Sequence, residues 1–250
     1  MSNETESPNR ARTLSMDFET LVHARRSVRG FKDQPVPQSV IEEIIDLAKR
    51  APSSMNTQPW HIHVVTGEPL EEIRSRNMTA MMDGAQPSRD IPSHGKYEGV
   101  HRDRQVGIAK KLFAAMGIAR EDIPMRQDWV LRGFRQFDAP VSLVLTYDRV
   151  LDIGAECRFD LGALSYGLVL AAWTRGLGAV INGQGIQRSD VVREVADIPD
   201  DQVIMTCIAM GYPDETFAAN SVRSDREDIG SFVRFVGFPD TAAVAADRVQ

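Results

Sequence analysis

Residues 51–60 read Ala51-Pro52-Ser53-Ser54-Met55-Asn56-Thr57-Gln58-Pro59-Trp60. Two prolines bracket short side chains that donate or accept hydrogen bonds, a composition that stops a helix. Ser53, Ser54, Asn56 and Gln58 could grip the edge of a polar, planar ligand, yet an ordinary helix-terminating loop accounts for the same residues. Upstream, Gln38–Arg50 is the clearest helix. Val40, Ile41, Ile44, Ile45 and Ala48 form one apolar stripe, with Glu42, Glu43, Asp46 and Lys49 outside it. Downstream, His61–Thr66 has the β-branched composition of a strand.

Further out, Asp17 is placed to cap a short helix in which Phe18, Leu21 and Val22 face inward. Leu70–Met82 reads as a helix. Residues 83–104 are polar, rich in glycine and proline, and without a period, as in a lid or a mobile insertion. Helical patterns resume near Gln105–Met116 and Gln127–Phe137. Val141–Tyr147 and Gln202–Met210 are buried strands by their composition. Glu156–Arg175 is apolar nearly all round, the mark of a buried helix. Gly176-Leu177-Gly178 ends it before a strand at Ala179–Ile181. Ser189 is expected to cap a helix running to Ala196. Ser231–Phe238 (SFVRFVGF) reads as a strand whose apolar face needs a cover, most simply a second subunit. The chain divides into a polar tail (1–14), one domain (15–238) with a variable insertion at about 76–135, and a second tail (239–250).

Arg25-Arg26-Ser27-Val28-Arg29 places three guanidiniums within five residues, where they repel one another unless an anion neutralises them. Arginine forks match the oxygens of a phosphate. A solvated basic helix end is an equally good account of the cluster taken alone. Asn182-Gly183-Gln184-Gly185 lets backbone amides approach a ligand closely but lacks the third glycine of a dinucleotide fingerprint. Arg223-Ser224-Asp225-Arg226 is an exposed charged turn unless the chain folds back onto the first cluster. His61 and His63 point to one side of a strand, without a carboxylate or cysteine at ligand spacing, so no metal is expected.

Composition narrows the function. The chain has 250 residues, 42% of them hydrophobic and 26% charged, and 29 basic against 35 acidic residues give a net charge of −6. An acidic chain is not drawn to nucleic acid or to anionic membranes. Two cysteines 50 residues apart, Cys157 and Cys207, make no metal or dithiol motif and fit a reducing cytoplasm. Residues 1–14 carry no apolar core, so no secretory signal is expected.

Taken together and in this order, the Arg25–Arg29 cluster with Phe31, the 51–60 loop, Gly176–Gly178, the Asn182–Gly185 turn, Met210-Gly211-Tyr212-Pro213 and the late Arg223 resemble the FMN-dependent nitroreductase family. The resemblance spans about residues 16–235. It implies an α+β fold, with a central, mainly antiparallel sheet flanked by helices, in an intertwined homodimer whose C-terminal strand crosses to the partner. It implies FMN at the dimer interface. Arg25, Arg26 and Ser27 would hold the phosphate and ribityl chain with Arg223, and Arg29 would sit at the flavin N1/O2 edge. Pro52, Ser53, Ser54 and Asn56 would come from the neighbouring subunit, and Asn182, Gln184 and Gly185 would approach the isoalloxazine. Position 184 is glutamine where several members have glutamate.

The resemblance further implies that no side chain acts as nucleophile. Flavin N5 would carry hydride from NADH or NADPH to a small aromatic oxidised substrate, a nitroarene or a quinone, in ping-pong order, with Arg29 supplying electrostatic support. Tyr97, Phe113, Trp129 and Phe134 are candidate pocket walls, although core packing explains each as well. The same scaffold suits reductive dehalogenation or enone reduction, and a non-catalytic FMN-binding protein is a third reading.

Overall fold

The computed structural model describes residues 16–93 and 95–238. The expected terminal tails at 1–14 and 239–250 therefore lie outside the described residues.

Four strands form the sheet: β1 (Trp60–Thr66), β2 (Val141–Asp148), β3 (Gly178–Asn182) and β4 (Gln202–Gly211), in the order β1-β2-β4-β3. Every neighbouring pair is antiparallel. Central β2 is buried on both faces as far as Tyr147, which is why its sequence reads as a continuous apolar run rather than an alternation.

Each face of the sheet has its own core. On one side, α2 (Gln38–Ala48) and α6 (Glu156–Thr174) pack Val40, Ile41, Ile44, Leu161, Leu164 and Leu168 against Leu143, Leu145 and Tyr147. On the other, α3 (Gly67–Met82) and α7 (Ser189–Val195) bring Leu70, Ile73 and Val192 onto Val65, Val144 and Ile204. The remaining helices are α1 (Phe18–Ala24), α4 (Gly99–Ala115) and α5 (Ile123–Phe134). None of the helices among the described residues is long and apolar enough to cross a membrane.

The free edge of β3 is where the arginine cluster attaches. Ser27 bridges Ala179 in parallel register, the Val28 amide donates to the Ala179 carbonyl at 3.1 Å, and the Val28 side chain is wholly buried. One apolar residue inside a run of charged ones thus pins the run to the sheet.

Five expectations need correction. Asp17 does cap α1 through the Thr20 amide, but Phe18 points outward and is exposed. Helix α4 begins at Gly99, so the irregular stretch is shorter than 83–104. Helix α6 buries one side only, leaving Phe159 and Tyr166 at the surface. Ser189 is the first residue of α7 rather than its cap, and its hydroxyl donates to the Ile186 carbonyl. Residues 231–238 form no strand: a short 3-10 turn covers Ile229–Ser231, and Phe232, Phe235, Val236 and Phe238 are exposed. A strand needs a partner for its backbone groups, and among the described residues no strand edge meets the segment.

Candidate active site

Residues distant in sequence converge beside the β3 edge. A cavity of about 320 Å³ is lined by Arg25, Arg26, Ser27, Arg29, Arg223 and Arg226, and closed by Ile108 of α4 and Tyr166 of α6. The charged turn at 223–226 therefore does fold back onto the first cluster. Its proximity is felt electrostatically: the Arg223 guanidinium is pushed below its ordinary pKa first by burial and then by Arg26.

The arginines are not equivalent. Arg26 is paired with Glu215 at 2.7 Å, and its guanidinium lies 4.9 Å from the centre of the Trp173 ring. Among the described residues, no carboxylate pairs with Arg25, Arg29 or Arg223 within ion-pair distance. Burial pushes Arg29 below its ordinary value with no opposing carboxylate. A desolvated, uncompensated cation is costly in a folded chain unless an anion arrives to share the space.

The cluster is held by a residue with no apparent sequence signal. Asn220 is 1% exposed and accepts hydrogen bonds from the Arg29 amide at 2.7 Å and the Gly30 amide at 3.2 Å. Its own amide donates to the Gly30 carbonyl at 2.7 Å. Arg132 of α5 donates to the Arg29 carbonyl at 3.2 Å, and its guanidinium packs over the Phe217 ring.

A second cavity, about 410 Å³, opens on the other side of Arg29. It is lined by Asn182, Gly183, Gln184 and Gln187, with Arg89 and Ser93 from the 83–98 segment. Arg29 is common to the two cavities. The Asn182 side chain is committed to the protein: it donates to the Gly133 carbonyl at 2.7 Å and accepts from the Gln184 amide at 3.1 Å. That leaves its turn rigid. Gly185 lines neither cavity, and a Cβ there would press on Cys207 and Gln136 in the core. Burial pushes the Cys207 thiol up to about 12, so it supplies no thiolate.

The 51–60 loop lies apart from both. Pro52, Ser53 and Ser54 line a separate cavity of about 360 Å³ with Phe159 and Asp160 of α6, sharing no residue with the arginine cavity. The Ser53 hydroxyl accepts from the Gln58 amide at 3.0 Å, and Asp160 accepts from the Ser54 amide at 3.1 Å. Met55, Asn56 and Gln58 have φ of 49°, 59° and 47°, in the left-handed region that costs about 1–3 kcal/mol per non-glycine residue. Met55 is nonetheless 93% exposed.

The other expected features are dispersed. The two strand histidines serve the fold: His61 bonds Asp148 and His63 bonds Gln202, each at 2.8 Å. Phe134 is buried in the core, and Arg126 stacks on Phe113. Trp129 lines a cavity of about 410 Å³ beside Met116 and Arg132, and Tyr97 lines one of about 830 Å³ between α4 and residues 224–227.

The chain has relatives of known activity and of known structure. The chain is 34% identical to a chloronitrobenzene nitroreductase of Comamonas testosteroni, over 88% of this chain and 96% of the relative. The solved FMN-dependent nitroreductase NfnB of Mycobacterium smegmatis, in complex with NADPH, superposes with a TM-score of 0.80 at 30% identity, covering 87% and 97% of the two chains. An FMN- and NADPH-dependent NfnB from a sphigopyxis strain gives a TM-score of 0.83 at 27% identity, covering 89% and 100%. The Nitroreductase family matches residues 22–212, which include the arginine cluster, the 51–60 loop and all four strands. The chain belongs to the Nitroreductase family.

Proposed function

We propose that this protein is an FMN-dependent enzyme that uses NADH or NADPH to reduce nitroaromatic compounds. The observation that carries this reading is the set of guanidiniums around the arginine cavity, several without a carboxylate, with Arg29 shared between that cavity and the one beside the Asn182–Gly185 turn. The residues fit the cofactor: one end offers uncompensated positive charge for a phosphate, and the other offers a rigid turn with backbone and amide groups for a planar ring.

Arg25, Ser27 and Arg223 would hold the phosphate, each charge-assisted hydrogen bond contributing about 1.5–3 kcal/mol. Arg26, bound by Glu215 and Trp173, adds charge from a fixed position. FMN when bound supplies the redox chemistry, relaying hydride from the nicotinamide donor to the nitro group. Arg29, common to the two cavities, would place its desolvated charge where it can stabilise negative charge on the ring. Asn182 holds the turn that presents Gln184, and Gly185 gives that turn its close packing on the core.

The reading includes a homodimer. Pro52, Ser53, Ser54 and Asn56 stand in an exposed, strained loop away from the arginines, as expected for residues that complete the site of a second copy. Exposed Phe159, Phe232, Phe235 and Phe238 supply apolar surface for that copy to cover. The two buried free thiols agree with a reducing cytoplasm.

The test is direct. Purified protein is expected to be yellow and to oxidise NADH or NADPH when nitrobenzene is supplied. Protein that stays colourless after incubation with FMN overturns the reading. Flavin that is bound and reduced but passes no electrons to any nitroarene overturns the activity.

A further inference from the structure

The cavity beside the Asn182–Gly185 turn contains a second arginine that the cofactor reading does not use. Arg89 comes from the irregular segment between α3 and α4, yet it is fixed from both sides. Before it, the Ser88 amide donates to the Gln187 carbonyl at 3.0 Å and the Ser88 hydroxyl bonds Asp190. After it, Asp90 pairs with Arg193 at 2.5 Å and accepts from the Ile204 amide at 2.8 Å. The guanidinium lies against Gly183, donating to its carbonyl at 3.3 Å, and a Cβ on Gly183 would come within 3.1 Å of it.

This guanidinium is under-used. Its Nε is buried without a hydrogen-bond partner, and among the described residues no carboxylate lies within ion-pair distance. Burial accordingly pushes its pKa below the ordinary value. A structural arginine is normally saturated by carbonyls and carboxylates, whereas this one is held rigidly with donors unspent. Ser93 and Gln187 add polar groups on the same wall.

We infer that Arg89 is a specificity-determining residue that binds an oxyanion on the molecule entering this cavity. The inference rests on the nitroreductase reading of the site. The oxyanion is either the carboxylate of an aromatic nitro acid or the extra phosphate that distinguishes NADPH from NADH. Both present paired oxygens to the guanidinium fork.

Arg89→Gln and Arg89→Lys in the FMN-loaded enzyme test it, compared with wild type on 4-nitrobenzoate, nitrobenzene, NADPH and NADH. The expected result is a fall of about tenfold or more in the kcat/KM ratio of 4-nitrobenzoate to nitrobenzene for Arg89→Gln, the scale of one lost charge-assisted hydrogen bond. Arg89→Lys restores part of it. A fall in the NADPH-to-NADH ratio instead assigns the oxyanion to the donor's extra phosphate. Calorimetric titration of the loaded protein with benzoate reads carboxylate binding without turnover. Two unmoved ratios together with unchanged benzoate affinity overturn the inference. If wild type reduces neither nitroarene, the functional reading fails, while titrations of the loaded wild type and Arg89→Gln with benzoate, and with NADP+ against NAD+, still decide the role of Arg89.

Discussion

The side chain of Asn220 clasps Gly30 from both sides, accepting from its amide at 3.2 Å and donating to its carbonyl at 2.7 Å. The same oxygen takes the Arg29 amide, so one buried side chain satisfies three backbone groups of the arginine segment. Asn220→Ala leaves the Arg29 and Gly30 amides without partners, at about 1–3 kcal/mol each where water cannot enter, while the Gly30 carbonyl still accepts from the Asp214 amide at 3.0 Å. The expected outcome is a loss of about 2–4 kcal/mol in urea unfolding and weaker FMN retention. Full stability together with full flavin content would show that the clasp is dispensable.

Arg25 ends α1 and faces the cavity without a carboxylate partner. Arg25→Ala is expected to weaken FMN binding by about tenfold or more, from the loss of one or two charge-assisted hydrogen bonds. The unfolding midpoint of the flavin-free protein should hardly move. Fluorescence titration of free FMN against apoprotein makes the comparison.

Two glycines give opposite outcomes for the same added methyl. At Gly30 a Cβ would overlap the Phe217 ring, which Arg132 covers from its other side. Gly30→Ala should destabilise by about 2–4 kcal/mol, since a packed ring and a clasped backbone cannot both yield. At Gly133 the Cβ would meet the end of the Gln184 side chain, which can swing away at the cost of the long bond, 3.4 Å, from its amide to the Val130 carbonyl. Gly133→Ala should therefore fold well and change nitroarene kinetics. Thermal melts and steady-state rates separate the two cases.

Asp190 carries a pH signature. Its carboxyl is held below the ordinary value of 3.8, first by Arg188 and with further help from the Ser88 hydroxyl. A folded pKa that is lowered means that the ionised group stabilises the fold above the ordinary value. That contribution is lost as pH falls through the lower folded value. The side chain is 49% exposed, so solvent screening leaves about 0.5–1 kcal/mol. Asp190→Asn should lower the urea midpoint at neutral pH, and the difference from wild type should close in acid below the ordinary value.

Removal of residues 229–250 takes away Phe232, Phe235, Val236 and Phe238, all exposed in the single chain. If these side chains cover a second copy, the shortened protein sediments as a monomer and loses flavin. A truncated protein that remains dimeric and yellow would show that the assembly rests on other surfaces.

Much of the frame was legible because burial writes itself into local pattern. The stripe Val40, Ile41, Ile44 and Ala48 gave α2, and the unbroken apolar runs gave β2 and β4, whose faces both meet core. The arginine cluster was also readable, since crowded cations in an acidic chain need an anion, whereas 223–226 read by itself as an exposed charged turn and Arg223 joined the cluster only through the family resemblance. Asn220 was not: a lone asparagine in a polar turn shows nothing until a distant backbone is seen to need it. Arg89 was hidden for a related reason, because its rigidity comes from Ser88 and Asp90 bonding to α7 and β4. The segment 231–238 was misread because its alternation signals a covered apolar face without naming what covers it.

The clasp between Gly30 and Asn220 joins residues 190 apart in the chain. A growing polypeptide releases its amino end first, so the guanidiniums of residues 25–29 wait without their anchor until residue 220 has been made. Contacts of such long range form slowly, after nearer ones have collapsed. On the FMN-dependent reading, vitamin loading must then follow the emergence of residue 220. Fragments released by premature termination should emerge unable to withdraw the nucleotide from the cellular supply.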